Sequence, residues 1–142
     1  MKQIHTETLV LQVVQTATTL ERRLDSALSF TRGITFSEYR LLKAIKEAEH
    51  GLTRVTLAEL LFLSPSGVTR ALKPLEKLGY VQTVKNERDA RQSLAVLTPG
   101  GHELLSDVRE VLADFHAELN VAHLDEAQLA TTATVLAELS KR

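Results

Sequence analysis

The dipeptide Ser64-Pro65 separates two short apolar segments, and this break constrains the chain more than any other feature. Upstream, LAELLFL (57–63) has room for about two turns of helix, at 3.6 residues per turn. Downstream, Val68, Leu72, Leu75 and Leu78 recur at helical spacing. Serine is a favoured N-cap, and proline at the first helical position loses no bond because that N–H has no partner inside the helix. Two runs rich in β-formers follow, YVQTVK (80–85) and QSLAVL (92–97), separated by the charged stretch NERDAR. The order is short helix, tight turn, longer helix and β-ribbon: a helix-turn-helix followed by a projecting loop.

The rest of the chain is arranged around this unit. From residue 5 to residue 30, Leu9, Val10, Val13, Val14, Ala17, Leu20, Leu24 and Leu28 recur every three or four positions and predict a first helix, although LVLQVV alone is strand-like. An apolar stripe at a chain end needs a cover, and a partner subunit is one candidate. A second helix starts at Thr35, with Glu38 completing a capping box and Ile34 spaced to meet Tyr39. Its inward positions are Tyr39, Leu41, Leu42, Ile45 and Ala48, and Gly51 ends it. Thr53–Val55 is placed as a third strand, and Thr56 with Glu59, flanked by Val55 and Leu60, predicts a cap and staple for the next helix. Pro74 removes the bond to the Arg70 carbonyl inside the longer helix. The apolar pattern continues on both sides, so one bent helix is expected, closed by Gly79. Beyond the ribbon, Thr98-Pro99 opens a helix with Leu104, Leu105, Val108, Val111, Leu112, Phe115 and Leu119 inward. Asp125 with Gln128 caps a last helix whose apolar face is Leu129, Ala133, Leu136 and Ala137.

Apolar content of 44% suffices for a core, and 4% aromatic residues favour helices over a sandwich or barrel. Cysteine is absent, which excludes disulfides, thiolate metal sites and thiol redox sensing. No apolar run approaches the roughly 20 residues that span a bilayer, and the N-terminus lacks signal-peptide architecture. A soluble cytoplasmic chain with no membrane partner is expected. The net charge of −1 says nothing about partners, but its distribution does. Residues 64–91 carry six Lys or Arg against three Asp or Glu, whereas residues 92–142 carry three against eight. A basic excess on one face suits a polyanion, because only that face gains from displacing counterions. A surplus of this size also arises by ordinary scatter.

The DNA major groove admits one helix, and close approach to base edges needs short side chains at the helix's near end. Ser66, Gly67, Thr69 and Arg70 occupy that end, behind the Ser64 cap, and Lys73 and Lys77 follow where lysines reach phosphates. Arginine forks onto guanine, while serine and threonine meet bases or phosphates. A solvated face with an arginine and two lysines would look the same. The loop adds Lys85, Arg88 and Arg91 beside this helix, as in a wing whose arginines enter the minor groove or touch its phosphates. Asp89 is poorly suited to phosphate unless paired, and its expected task is to hold Arg91. A charged turn with ion pairs of little worth is the alternative. Enzyme motifs are lacking: there is no Gly-rich phosphate loop, nucleophile elbow or HExxH segment. His5, His50, His102, His116 and His123 include no pair at the spacing of a helical metal site, so neither metal nor cofactor is expected.

Taken in order, these segments resemble the MarR-type winged-helix transcriptional regulators. The matching parts are ITFSEYRLLKAI, VTLAELLFLSPSGVTRALKPLEKLGYV, and ERDAR followed by LAVLTPGG, within residues 34–101. The flanking helices match in length and pattern only. The resemblance implies a mainly α fold with a small β-ribbon. A winged helix-turn-helix (34–98) would lie between an N-terminal dimerisation helix (1–33) and C-terminal dimerisation helices (99–142). It further implies a homodimer that binds a palindromic double-stranded DNA operator as a ligand-responsive repressor. Carried onto this chain, Ser66, Thr69, Arg70 and Lys73 are major-groove residues, Arg88 and Arg91 are wing residues, and Asp89 pairs with Arg91. Many relatives release DNA when a small aromatic or lipophilic effector enters a cleft between dimerisation helices and reading head. Phe30, Phe36, Tyr39 and Arg40 are the candidates by position, each also readable as core or surface. The family often carries arginine where this chain has Ala90, so either Arg88 substitutes or the wing contact is weaker. A winged-helix module that binds protein instead is the alternative, and the retained Arg70, Lys73 and Arg91 argue against it.

Overall fold

In the computed structural model, which describes all 142 residues, every helix after the first begins on a side chain that accepts a backbone N–H. Helix α1 (Lys2–Arg32) is followed by α2 (Phe36–Glu47), strand β1 (Leu52–Thr53), α3 (Arg54–Leu61) and α4 (Pro65–Lys77). The hairpin β2 (Val81–Lys85) and β3 (Ser93–Leu97) comes next, then α5 (Pro99–Ala117) and α6 (Glu126–Ser140). The chain is therefore mainly helical with a small antiparallel sheet, as its periodicity predicts.

The capping boxes at Thr35–Glu38 and Asp125–Gln128 form in full, and Ser64 and Thr98 cap α4 and α5 ahead of Pro65 and Pro99. The start of α3 differs from expectation. Thr53, not Thr56, is the N-cap: its Oγ1 accepts the Thr56 N–H at 3.2 Å and also bonds the Thr56 hydroxyl. The strand accordingly ends at Thr53 instead of running to Val55, and the expected staple is absent, with Val55 and Leu60 both exposed. Helix α2 stops at Glu47, before Gly51, which turns the chain into β1 at a φ of +87°. Helix α4 runs unbroken through Pro74, whose carbonyl accepts the Leu78 N–H at 3.0 Å.

The sheet order is β1-β3-β2, with Leu52 opposite Ala95, Val81 opposite Leu97, and Lys85 opposite Ser93 as the last rung before the loop. Its buried side, through Val81 and Ala95, closes a core built from Leu28, Leu41, Leu42, Ile45, Leu57, Val68, Leu72, Leu75, Leu104 and Val108. Helix α1 joins this core by its C-terminal end. Asp25 Oδ1 accepts the Phe36 N–H at 2.6 Å, and Arg32 pairs with Asp107 of α5 at 2.9 Å. No residue of α6 is buried, and Ile4, Val10, Leu11 and Val14 of α1 are exposed. No helix is long and apolar enough to cross a membrane.

The N-terminus of α5 passes so near the start of β2 that a Cβ on Gly101 would overlap the Tyr80 carbonyl oxygen. Backbone meets backbone there, with no side chain to move aside. Gly101→Ala should therefore lower stability by about 1–3 kcal/mol, as for other overpacked sites. Denaturant unfolding at fixed protein concentration checks this, and an unchanged midpoint would show that the approach relaxes freely.

Candidate nucleic-acid interface

Helix α4 divides into two faces. Val68, Leu72 and Leu75 are each at 0% exposure and anchor it in the core, while Ser66, Thr69, Arg70, Lys73 and Lys77 all lie on exposed positions. The helix start is built from small polar groups. Ser64 Oγ accepts the Gly67 N–H at 3.0 Å and lies 3.2 Å from Ser66 Oγ, so Ser64 is committed to capping. Thr69 Oγ1 donates to the Pro65 carbonyl at 3.2 Å and keeps lone pairs free to accept. Arg70, Lys73 and Lys77, together with Lys85 and Arg88, take part in no ion pair. Such cations meet an incoming anion without first breaking an internal bond.

The loop joining β2 to β3 is held by carboxamide and carboxylate turns. Asn86 Oδ1 accepts the Arg88 N–H at 3.0 Å, and Asp89 Oδ1 accepts the Arg91 N–H at 3.0 Å. The Asn86 N–H reaches the Gln92 carbonyl at 3.2 Å and closes the loop base. Asp89 also meets Arg91 Nε at 3.5 Å, yet the Arg91 side chain is 92% exposed. The sequence pattern pairs these two residues correctly, but Asp89 holds mainly the backbone of Arg91, and the exposed ion pair adds little. The guanidinium stands clear of the loop.

The four cleft candidates are not all brought together. Phe36 and Tyr39 stack with ring centroids 6.0 Å apart and, with Arg40, line a cleft of about 670 Å³ against Leu24, Leu61, Leu112 and His116. Phe30 is not among them. It is 95% exposed, on a separate depression beside Asp107 and Asp114, because the buried position in this turn of α1 is Leu28. The five histidines do not gather with carboxylates into any group of three that could hold a metal ion.

Two residues escape the sequence patterns. Arg54, within TRVT, lies half-buried against Glu76, Thr83 and Ser93, partners far along the chain that no local spacing reveals. Phe62 adopts φ 55°, the left-handed region, as the C-cap of α3. That conformation lets the chain reverse with only Leu63 between it and Ser64, and its only local sign is the abrupt break before Ser64-Pro65.

This arrangement, an anchored helix with an exposed cationic face beside a two-stranded loop, matches known proteins in both sequence and shape. Residues 32–92 match the sequence profile of the MarR family. The transcriptional regulator SarZ of Staphylococcus aureus is 30% identical over 96 residues, which cover 68% of this chain and 64% of SarZ. The chain belongs to the MarR family. Its match thus spans a little under two thirds of that relative's own length. Among solved structures, a cysteine-to-serine mutant of Escherichia coli MarR complexed with operator DNA superposes with a TM-score of 0.83 at 27% identity, covering 94% of each chain. BldR of Sulfolobus solfataricus gives a TM-score of 0.85 at 21% identity over 97% of this chain and 98% of its own, a likeness of fold.

Within this MarR-family fold, the turn between α3 and α4 carries a testable strain. A left-handed conformation costs a residue with a Cβ roughly 1–2 kcal/mol, and Phe62 recovers little by burial because it is 78% exposed. Phe62→Gly should raise stability by about 0.5–1 kcal/mol after the greater chain entropy of unfolded glycine is deducted. Thermal unfolding followed by circular dichroism measures it, and a clear loss of stability would mean that the ring is engaged.

Proposed function

We propose that this MarR-family chain is a sequence-specific double-stranded DNA-binding regulator of transcription, acting as a homodimer and a ligand-responsive repressor. The observation that carries the proposal is the row of unpaired cations Arg70, Lys73 and Lys77 on the exposed face of a core-anchored helix, with Arg88 and Arg91 raised on the adjoining loop. One helix and one loop then meet a groove and its flanking backbone. The relatives support this assignment: SarZ is named a transcriptional regulator, and the MarR mutant was crystallised with its operator. An enzymatic role has no such support.

In this proposal Ser66, Thr69 and Arg70 face base edges, Lys73, Lys77 and Lys85 face phosphates, and Arg88 and Arg91 reach along the wing, with Ser64 and Asp89 shaping the backbone beneath them. Residues 34–98 form the reading head. Residues 1–33 and 99–142 supply the dimer contacts, which accounts for the exposed Leu129, Val135, Leu136 and Leu139 of α6 and for the uncovered first turns of α1. A small aromatic or lipophilic effector fits the Phe36–Tyr39–Arg40 cleft between α2 and α5.

DNA selected from a random pool by the wild-type protein provides the probe. Arg70→Ala should weaken binding by about 1–3 kcal/mol if the arginine forks onto a guanine. Lys73→Ala should lower the slope of log K against log salt by about 1 if the lysine meets a phosphate. Wild-type affinity in Arg70→Ala, or an unchanged slope in Lys73→Ala, would remove those assignments one by one. The dimer has its own check. Sedimentation at micromolar concentration should give a dimer, shifted towards monomer by Leu136→Asp, and a monomeric wild type would overturn the role given to α1 and α6.

A further inference from the structure

We infer that Arg54 is a positioning residue that locks the wing to the reading helix, setting the wing's pose without touching DNA. The inference rests on the DNA-binding function proposed above and adds a determinant outside the interface. Arg54 is the first residue of α3, directly after the Thr53 cap, and Thr53 itself pairs with Leu94 of β3. Its guanidinium spreads across three elements. Nη1 donates to Ser93 Oγ at 3.3 Å, Nη2 donates to Thr83 Oγ1 at 3.4 Å, and Nη2 lies 3.7 Å from Glu76 Oε1. Thr83 Oγ1 in turn donates to Glu76 Oε1 at 2.8 Å.

The placement of these partners is what matters. Ser93 is the β3 half of the last rung before the wing, and Thr83 stands two residues below the β2 half, Lys85, on the same side of the strand. Glu76 belongs to the last turn of α4. The Thr83–Glu76 contact is the one side-chain hydrogen bond between α4 and the hairpin, and Arg54 lies against both of its ends. Without this cluster, the wing stem and the reading helix would be joined on this side only by apolar packing, which resists sliding less than directed bonds do. The fork geometry is also specific to arginine. A single ammonium cannot meet two hydroxyls and a carboxylate on separate elements in the same way. With side chains 28% and 34% exposed, Arg54 and Glu76 are shielded more than an ordinary surface pair.

Arg54→Met keeps the stem and removes the fork, and Arg54→Lys keeps the charge and removes the geometry. The first measurement is amide hydrogen exchange in the free protein. Residues 83–93 should exchange about tenfold faster in Arg54→Met while α2 and α5 keep their protection, as expected when one local unit loosens. Unchanged exchange in the wing stem overturns the clamp, as does an equal increase throughout the chain. The second is a cycle against the wing, read on DNA selected from a random pool. Arg54→Met should weaken binding roughly fivefold in the wild-type background and hardly at all in the Arg88→Ala/Arg91→Ala background, because a wing without arginines has no pose to lose. Arg54→Lys should behave like Arg54→Met. Equal losses in both backgrounds would make Arg54 a DNA contact in its own right and overturn the inference. If the wild type selects no DNA, the proposed function fails, while the exchange experiment still decides the clamp.

Discussion

The burial of one face of α4 is the condition on which the rest of the structure depends. Val68, Leu72 and Leu75 are sealed in the core, against α3 and the sheet, and this apolar contact anchors the helix. Polar side chains on the other face are then released from any structural duty. Arg70, Lys73 and Lys77 need no internal partner to keep the helix in place, and they have none. Some cations elsewhere in the same chain are paired. Arg32 is held by Asp107, Lys43 by Glu47 and Arg54 by Glu76. Positive charge left unneutralised on one rigid surface is what raises the potential there and makes exchange of counterions for phosphates favourable.

The wing follows a related logic with different means. A two-stranded ribbon is marginal on its own, so the pose of its tip depends on what supports the stem. Here the third strand contributes only Leu52 and Thr53, and the remaining support is the packing of Val81 and Ala95 together with the Arg54 cluster. The tip is ordered by backbone turns at Asn86 and Asp89, which leave Arg88 unpaired and the Arg91 side chain largely exposed. Order in the main chain and freedom in the side chains are thus separated. Arg88 stands two residues before Ala90, on a backbone that Asn86 fixes.

Local chemistry was legible from the sequence, and non-local chemistry was not. The caps at Thr35, Ser64, Thr98 and Asp125 involve groups within three residues, so spacing suffices to find them. Thr53 and Thr56 are equally good caps by composition. The choice between them falls to the pairing of Leu52 and Thr53 with β3, a contact between distant parts of the chain. Arg54 was hidden for the same reason, since its hydroxyl partners lie 29 and 39 residues away. The cleft shows the boundary well. Phe36, Tyr39 and Arg40 share a face because helical spacing requires it, whereas Phe30 was associated with them only by proximity in sequence and points away once α1 buries Leu28.

Two surfaces of opposite character remain unsatisfied in the single chain, and they lie on different parts of it. One is the cationic face of α4 and the wing, and the other is the apolar side of α6 and the first turns of α1. The net charge of −1 hides this division, because residues 64–91 carry six Lys or Arg against three Asp or Glu while residues 92–142, which include α6, carry three against eight. An acidic segment is a poor ligand for a polyanion. The link between the two surfaces is short. The carboxylate of Asp25 in α1 holds the first N–H of α2, Arg32 ties α1 to α5, and the cleft lies where α2 and α5 meet. A body wedged into that cleft would bear on α2, whose Leu41, Leu42 and Ile45 belong to the core that seats α4, and on Leu24, Leu61 and Leu112 opposite it. In a dimer joined through α1 and α6, displacement of α2 against α5 would change the separation of the two reading helices, and a ligand that favours one separation would shift binding by that preference alone.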